Sequence, residues 1–93
     1  MVICMGTGPR TCVVIGFTPG ITSPARIHHQ STEDLAMTRA VPHATVIDPV
    51  DATEFTQAVR DSVRQPGLVY MRGLRGTVSR LLDPEKYVFE VGK

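Results

Sequence analysis

Ninety-three residues with ten basic and nine acidic side chains, net charge +1 and 42% hydrophobic content make at most one domain, in which a modest share of the surface is buried. The scattered charges exclude a nucleic-acid footprint, and no apolar stretch approaches the roughly 20 residues that span a bilayer. Neither nucleic acid nor membrane is an expected partner.

The start, Met1-Val2-Ile3-Cys4-Met5, is apolar, broken by Gly6, Gly8 and Pro9, and without the basic region of a secretory signal. Residues 1–10 read as an irregular start. Gly6-Thr7-Gly8 resembles a phosphate loop only superficially, lacking further glycines and a preceding strand. Cys4 and Cys12 are too few for a zinc site. As thiols on apolar segments they are expected buried and reduced, which suits a cytoplasmic protein. Cys12 reads as a core residue, not a nucleophile.

Thr11-Cys12-Val13-Val14-Ile15-Gly16 is a β-branched run, expected as a strand buried on both faces. Phe17 to Ile27, with Pro19, Gly20 and Pro24, is a loop. His28-His29-Gln30 follows and leads into a helix, with Ser31 or Thr32 as N-cap and Glu33 and Asp34 as acids in its first turn. Leu35, Ala36, Arg39 and Ala40 continue that helix until Pro42 ends it, and His43 reads as a solvated turn residue. Ala44-Thr45-Val46-Ile47 is a second strand, stopped by Asp48-Pro49. Asp51 and Glu54 form a capping arrangement for a helix with an apolar stripe at Phe55, Ala58, Val59 and Val63, closed by Pro66-Gly67. Leu68-Val69-Tyr70-Met71 is a third strand, followed by the basic, Gly-rich Arg72-Gly73-Leu74-Arg75-Gly76. Residues 80–93 are an exit linker or, where Tyr87-Val88-Phe89-Glu90-Val91 alternates, an edge strand.

Strand, helix, strand, helix, strand predicts an α/β fold with a mostly parallel sheet and flanking helices. Ligands bind such sheets beyond the carboxyl ends of the strands. The loop before the first helix, the Asp48-Pro49-Val50-Asp51 turn and the Arg72–Arg75 segment converge there.

Three ordered motifs carry a family resemblance. They are His29-Gln30-Ser31-Thr32-Glu33-Asp34-Leu35-Ala36 with Arg39-Ala40-Val41-Pro42, then Thr45-Val46-Ile47-x-Pro49-x-Asp51-Ala52-x-Glu54, then Pro66-Gly67-Leu68-Val69-Tyr70-Met71-Arg72. Together with the end, Asp83 to Lys93, they resemble the pyrimidine-binding domain of transketolases, and most of all the C-terminal subunit of split bacterial transketolases. The resemblance runs from about Thr11 onward and implies that residues 1–93 are a single, partial domain of that kind. It further implies thiamine diphosphate with a divalent metal (Mg) as cofactor, shared with a transketolase-like partner chain that supplies the diphosphate-binding domain. The implied reaction is ketol transfer between sugar phosphates, carried out by an assembled enzyme and not by this chain alone.

By the same resemblance, His29 stands where the family's His faces the substrate channel, a catalytic and substrate-binding position. Arg72 matches the Arg that contacts the sugar phosphate. An imidazole can donate to a hydroxyl or exchange a proton near neutral pH, and a guanidinium fork suits a phosphate. His28 reads as a bystander and Arg75 as a surface charge.

Two departures shape the expectation. Pro24-Ala25-Arg26-Ile27-His28 replaces the family's acidic Gly-Glu-Asp-Gly loop, and Phe17 or Thr18 replaces an upstream His. No residue can be assigned the Glu that activates the aminopyrimidine, and no metal ligand is assigned. The alternative expectation is therefore a non-catalytic remnant or interaction module. On either reading, part of a parallel sheet leaves strand edges and apolar stripes to be covered by another chain, so an oligomer or a poorly soluble monomer is expected.

Overall fold

A computed structural model describes residues 11–20, 31–74 and 76–92. The readings of residues 1–10, of the loop with His28, His29 and Gln30, and of Arg75 lie outside the described residues. Five elements follow in chain order: β1 (Thr11–Phe17), α1 (Asp34–Arg39), β2 (Thr45–Ile47), α2 (Ala52–Ser62) and β3 (Gly67–Gly73). The strands form one sheet in the order β1-β3-β2, and both pairings are parallel. The expected α/β arrangement is what the chain adopts.

With the last strand in the middle, Phe17 pairs with Gly73 and Ile47 with Met71. All three carboxyl ends therefore meet at one edge, the place where parallel sheets offer a ligand site. Period-two alternation divides the sheet faces. Val13, Ile15, Ile47, Val69 and Met71 are buried on one of them, where Ala58, Phe55 and Val59 of α2 pack. Val69 and Met71 are fully shielded from solvent, each contributing roughly 1.5–3 kcal/mol of transfer free energy.

The expectation of a first strand buried on both faces is corrected. Val13 and Ile15 are buried, but Cys12 and Val14 are only half-buried. Among the described residues, α1 contributes no buried side chain, so the face opposite α2 is covered more thinly.

The start of α1 also differs from the expectation. Glu33 is the N-cap, without a side-chain cap hydrogen bond, and neither Ser31 nor Thr32 holds that place. Asp34 stands in the first turn of the helix, as expected, and its carboxylate also reaches Tyr70 and Arg72 of the sheet. The helix ends at Arg39 ahead of Pro42, as its sequence requires. His43 is an exposed turn residue with φ of 61°. The third strand is longer than expected. Gly67, with φ of 88°, opens β3 instead of closing α2, and Arg72 and Gly73 belong to the strand. A side chain at Gly67 would be strained in that conformation.

The start of α2 is built as its sequence predicts. Asp51 Oδ1 accepts the Glu54 N–H at 2.9 Å, and Glu54 Oε2 accepts the Val50 N–H at 2.7 Å, a reciprocal cap. The cap has a second role that the spacing did not reveal. Asp51 Oδ2 accepts the N–H groups of Leu81 and Leu82, each at 2.8 Å, so one carboxylate joins the helix start to the distant tail.

The tail is not an edge strand. Residues 81–90 carry no strand and lie along α2, held by side chains of that helix. Thr53 Oγ1 donates to the Leu82 carbonyl at 3.1 Å, and the Tyr87 hydroxyl donates to Glu54 at 2.6 Å. Gln57 donates to the Tyr87 carbonyl and accepts the Phe89 N–H, both at 2.8 Å. Phe89 then packs against the core. The Tyr87–Phe89 alternation thus serves a helix surface, because the groups that satisfy the tail's backbone are side chains of α2.

Candidate functional site

Towards the carboxyl edge, β3 carries Tyr70 and Arg72, two residues apart and hence on the same face. Opposite them on β1 are Val14 and Gly16. A Cβ at Gly16 would collide with the Tyr70 hydroxyl, so this glycine is the space in which the phenol lies. The hydroxyl donates to Asp34 Oδ2 at 2.6 Å.

Arg72 meets the same carboxylate with two donors. Nε lies 2.9 Å from Asp34 Oδ2 and Nη2 lies 2.6 Å from Asp34 Oδ1, a bidentate pair whose geometry matches the guanidinium fork. A third donor, Nη1, reaches Asp48 Oδ2 at 3.2 Å. The side chains of Arg72 and Asp34 are 15% and 10% exposed, whereas that of Asp48 is 53% exposed. One guanidinium therefore faces two carboxylates, one shielded and tightly bound, the other wet and more distant.

The titration behaviour follows from these contacts. The Arg72 hydrogen bonds, aided by Tyr70 and opposed by burial, hold the Asp34 carboxyl down to about 2. Burial, reinforced by the bond to Asp34, pushes the Tyr70 phenol up to about 12. Arg72 is raised above its ordinary value, mainly by Asp34. At neutral pH Tyr70 is a neutral phenol, Arg72 a cation and Asp34 an anion.

Beside Arg72 is a cavity of about 160 Å³ between the strand ends and the start of α2, walled by Phe17, Pro49, Val50, Phe55, Leu74 and Val78. Phe17, at the position expected to replace a polar family residue, lies against Gly73, where an added Cβ would come within 2.7 Å of its ring. Thr18 has φ of 66° and donates its N–H to the Gly73 carbonyl at 3.2 Å. That conformation is uncommon for a β-branched residue. The Gly20 N–H donates to the Ser31 carbonyl at 2.7 Å, so the two described flanks of residues 21–30 meet at this edge.

Of the sequence-derived site residues, Arg72 is at the expected edge, already in two ion pairs. His29 lies outside the described residues. Asp51 and Glu54 cap a helix, as their spacing indicates. Sequence reasoning missed Asp34, Tyr70 and Asp48. The available signal was the period-two pairing of Tyr70 with Arg72 opposite a strand glycine, which marks a close approach on that face. No group of three His, Cys, Asp or Glu side chains that could hold a metal ion is formed among the described residues. None of their helices is long and apolar enough to cross a membrane.

No protein-family profile and no solved structure matches the chain. Relatives of known sequence do. A transketolase family protein of Sinorhizobium fredii is 48% identical over 80 residues, 86% of this chain and 23% of the relative. A 6-deoxy-6-sulfo-D-fructose transketolase subunit from a Clostridium species is 36% identical over 81 residues, 86% of this chain and 25% of the relative. A transketolase C-terminal section from Methanocaldococcus jannaschii is 35% identical over 66 residues, 70% of this chain and 21% of the relative. With the same kinship in each comparison, the chain belongs to the transketolase family and spans about a quarter of the length of the relatives it matches.

Proposed function

We propose that this chain contributes one wall of the substrate site in a thiamine-diphosphate-dependent ketol transferase, as part of a pyrimidine-binding domain, in a cytoplasmic assembly with partner chains. The observation that carries the reading is Arg72, a guanidinium at the carboxyl edge of the sheet, bordering a cavity in a chain of transketolase kinship. In this reading Arg72 engages the anionic group of a sugar substrate, and His29 exchanges a proton with, or donates to, a ketose hydroxyl. Thiamine diphosphate, when bound, supplies the carbanion chemistry of ketol transfer.

The described residues offer no cluster fit for the accompanying metal, and no carboxylate of the chain matches the Glu that activates the aminopyrimidine. We assign the metal ligands to a partner that carries the diphosphate-binding domain, and the activating Glu to the remaining half of the pyrimidine-binding domain. Relatives named as a subunit and as a C-terminal section support a divided enzyme. A second reading, a non-catalytic interaction module, is favoured by one observation: three of the five guanidinium N–H donors of Arg72 are already engaged by this chain's own carboxylates.

Calorimetric titration of thiamine diphosphate with Mg²⁺ tests the proposal. The expected result is no binding to this chain alone, and saturable binding once a transketolase-family chain carrying the diphosphate-binding domain is added, above what that chain shows by itself. Tight binding to the isolated chain would overturn the division of labour. Addition of this chain without effect on the partner's affinity would favour the interaction module.

A further inference from the structure

We propose that Asp48 acts as a charge gate on Arg72, selecting against doubly charged anions at this site. The inference rests on the reading of Arg72 as the ligand for an anionic substrate group.

The two carboxylates around Arg72 differ in every respect that governs exchange. Asp34 is shielded, bidentate, within 2.6 and 2.9 Å, and supported by the Tyr70 hydroxyl. Asp48 makes one contact to Arg72, at 3.2 Å, from a half-exposed side chain. Water screens the second pair and competes for it, so an incoming anion displaces Asp48 and leaves the Asp34 anchor intact. The donor released is Nη1. Asp48 leads directly into Pro49 and Val50, which with Arg72 border the cavity, so the exchange takes place at the cavity mouth.

Charge selection follows. One guanidinium with two carboxylates carries a net charge of −1, and a displaced Asp48 remains tethered nearby on the Asp48-Pro49 turn. Its repulsion scales with the charge of the ligand, since Coulomb energy is proportional to the product of charges. A dianion such as phosphate is therefore penalised about twice as strongly, in free energy, as a monoanion such as a sulfonate. Asp48 is a specificity-determining residue: it makes the site tolerant of singly charged and neutral substrates and sparing toward phosphates.

The experiment is an NMR titration that follows the Arg72 Nε–H resonance in the wild-type chain and Asp48→Asn, and the backbone amide resonances in both and in Arg72→Gln. The probes are inorganic phosphate, at a pH where it is a dianion, and methanesulfonate. Asp48→Asn keeps the shape of the exposed side chain and removes its charge. The expected result is a gain of roughly tenfold in phosphate affinity and roughly threefold in methanesulfonate affinity. Unchanged phosphate affinity in Asp48→Asn, or equal gains for both anions, would overturn the gate. Backbone shifts seen with phosphate in the wild type and unaltered in Arg72→Gln would instead overturn the anion-binding role of Arg72. The two failures are thus told apart.

Discussion

Replacement of Asp51 by alanine will release the tail from α2 and lower the melting temperature by roughly 10 °C or more. The reason is the number of backbone donors that depend on this side chain. Glu54, Leu81 and Leu82 each give an N–H to its two oxygens, and Asp51 is only 4% exposed, so water does not simply replace it. Those bonds also hold its carboxyl below the ordinary range, the Glu54 N–H first, then those of Leu82 and Leu81. Asp51→Asn separates the two roles. It retains an oxygen for the Glu54 N–H but presents an amide NH₂, a donor, to the Leu81 and Leu82 donors. The asparagine variant is therefore expected to keep α2 helical while residues 81–89 gain hydrogen exchange. Equal protection of the Leu81 and Leu82 amides in wild type and Asp51→Asn would show that the tail is held by other contacts.

Asp34→Ala will cost about 2–3 kcal/mol, measured by urea denaturation, because it removes the partner of two shielded groups at once. Arg72 retains only the exposed Asp48, and Tyr70 loses the acceptor of its hydroxyl. The same carboxylate sets an acid limb of stability. Its folded value, about 2, lies below the ordinary 3.8, so its contribution is complete above about pH 4 and is lost as pH falls toward 2. That contribution is at most about 2 kcal/mol. Tyr70 acts at the other end: raised to about 12 from 10.0, it supports the fold below about pH 10 and ceases to as pH rises through 12. Stability profiles of wild type and Asp34→Asn should therefore converge on acidification. Parallel profiles down to pH 2 would show that the Asp34–Arg72 pair contributes nothing measurable.

The order of elements was legible because the apolar runs Val13–Ile15, Val46–Ile47 and Leu68–Met71 alternate with the helical stripe of Phe55, Ala58 and Val59. The Asp51–Glu54 cap was legible because capping is local, two side chains acting on the backbone of one turn. The cluster at the carboxyl edge was legible only in part. Arg72 announced itself by its strand-end position and its motif. Asp34 lies 38 residues earlier in the chain than Arg72, and nothing local distinguishes an acid on a helix dipole from one that turns to a guanidinium across the sheet. For the tail, the edge-strand alternative failed for the same reason. Its alternation imitates a strand, while its partners, Thr53, Glu54 and Gln57, are polar helix residues about 30 positions away. Local patterns report which element forms; long-range polar contacts report what that element serves.

The role proposed for Arg72 is to bind substrate in an assembled ketol transferase. Its most direct measurement is ketol transfer from a ketose to an aldose acceptor by this chain together with a transketolase-family partner, thiamine diphosphate and Mg²⁺, with wild-type chain and with Arg72→Lys. Lysine keeps a cation beside Asp34, so the fold is preserved, but loses the planar fork. The expected result is transfer that requires both chains, and a fall in kcat/KM of roughly 10- to 100-fold for Arg72→Lys, expressed mainly in KM. Transfer at an undiminished rate with Arg72→Lys, or with this chain omitted, would contradict it.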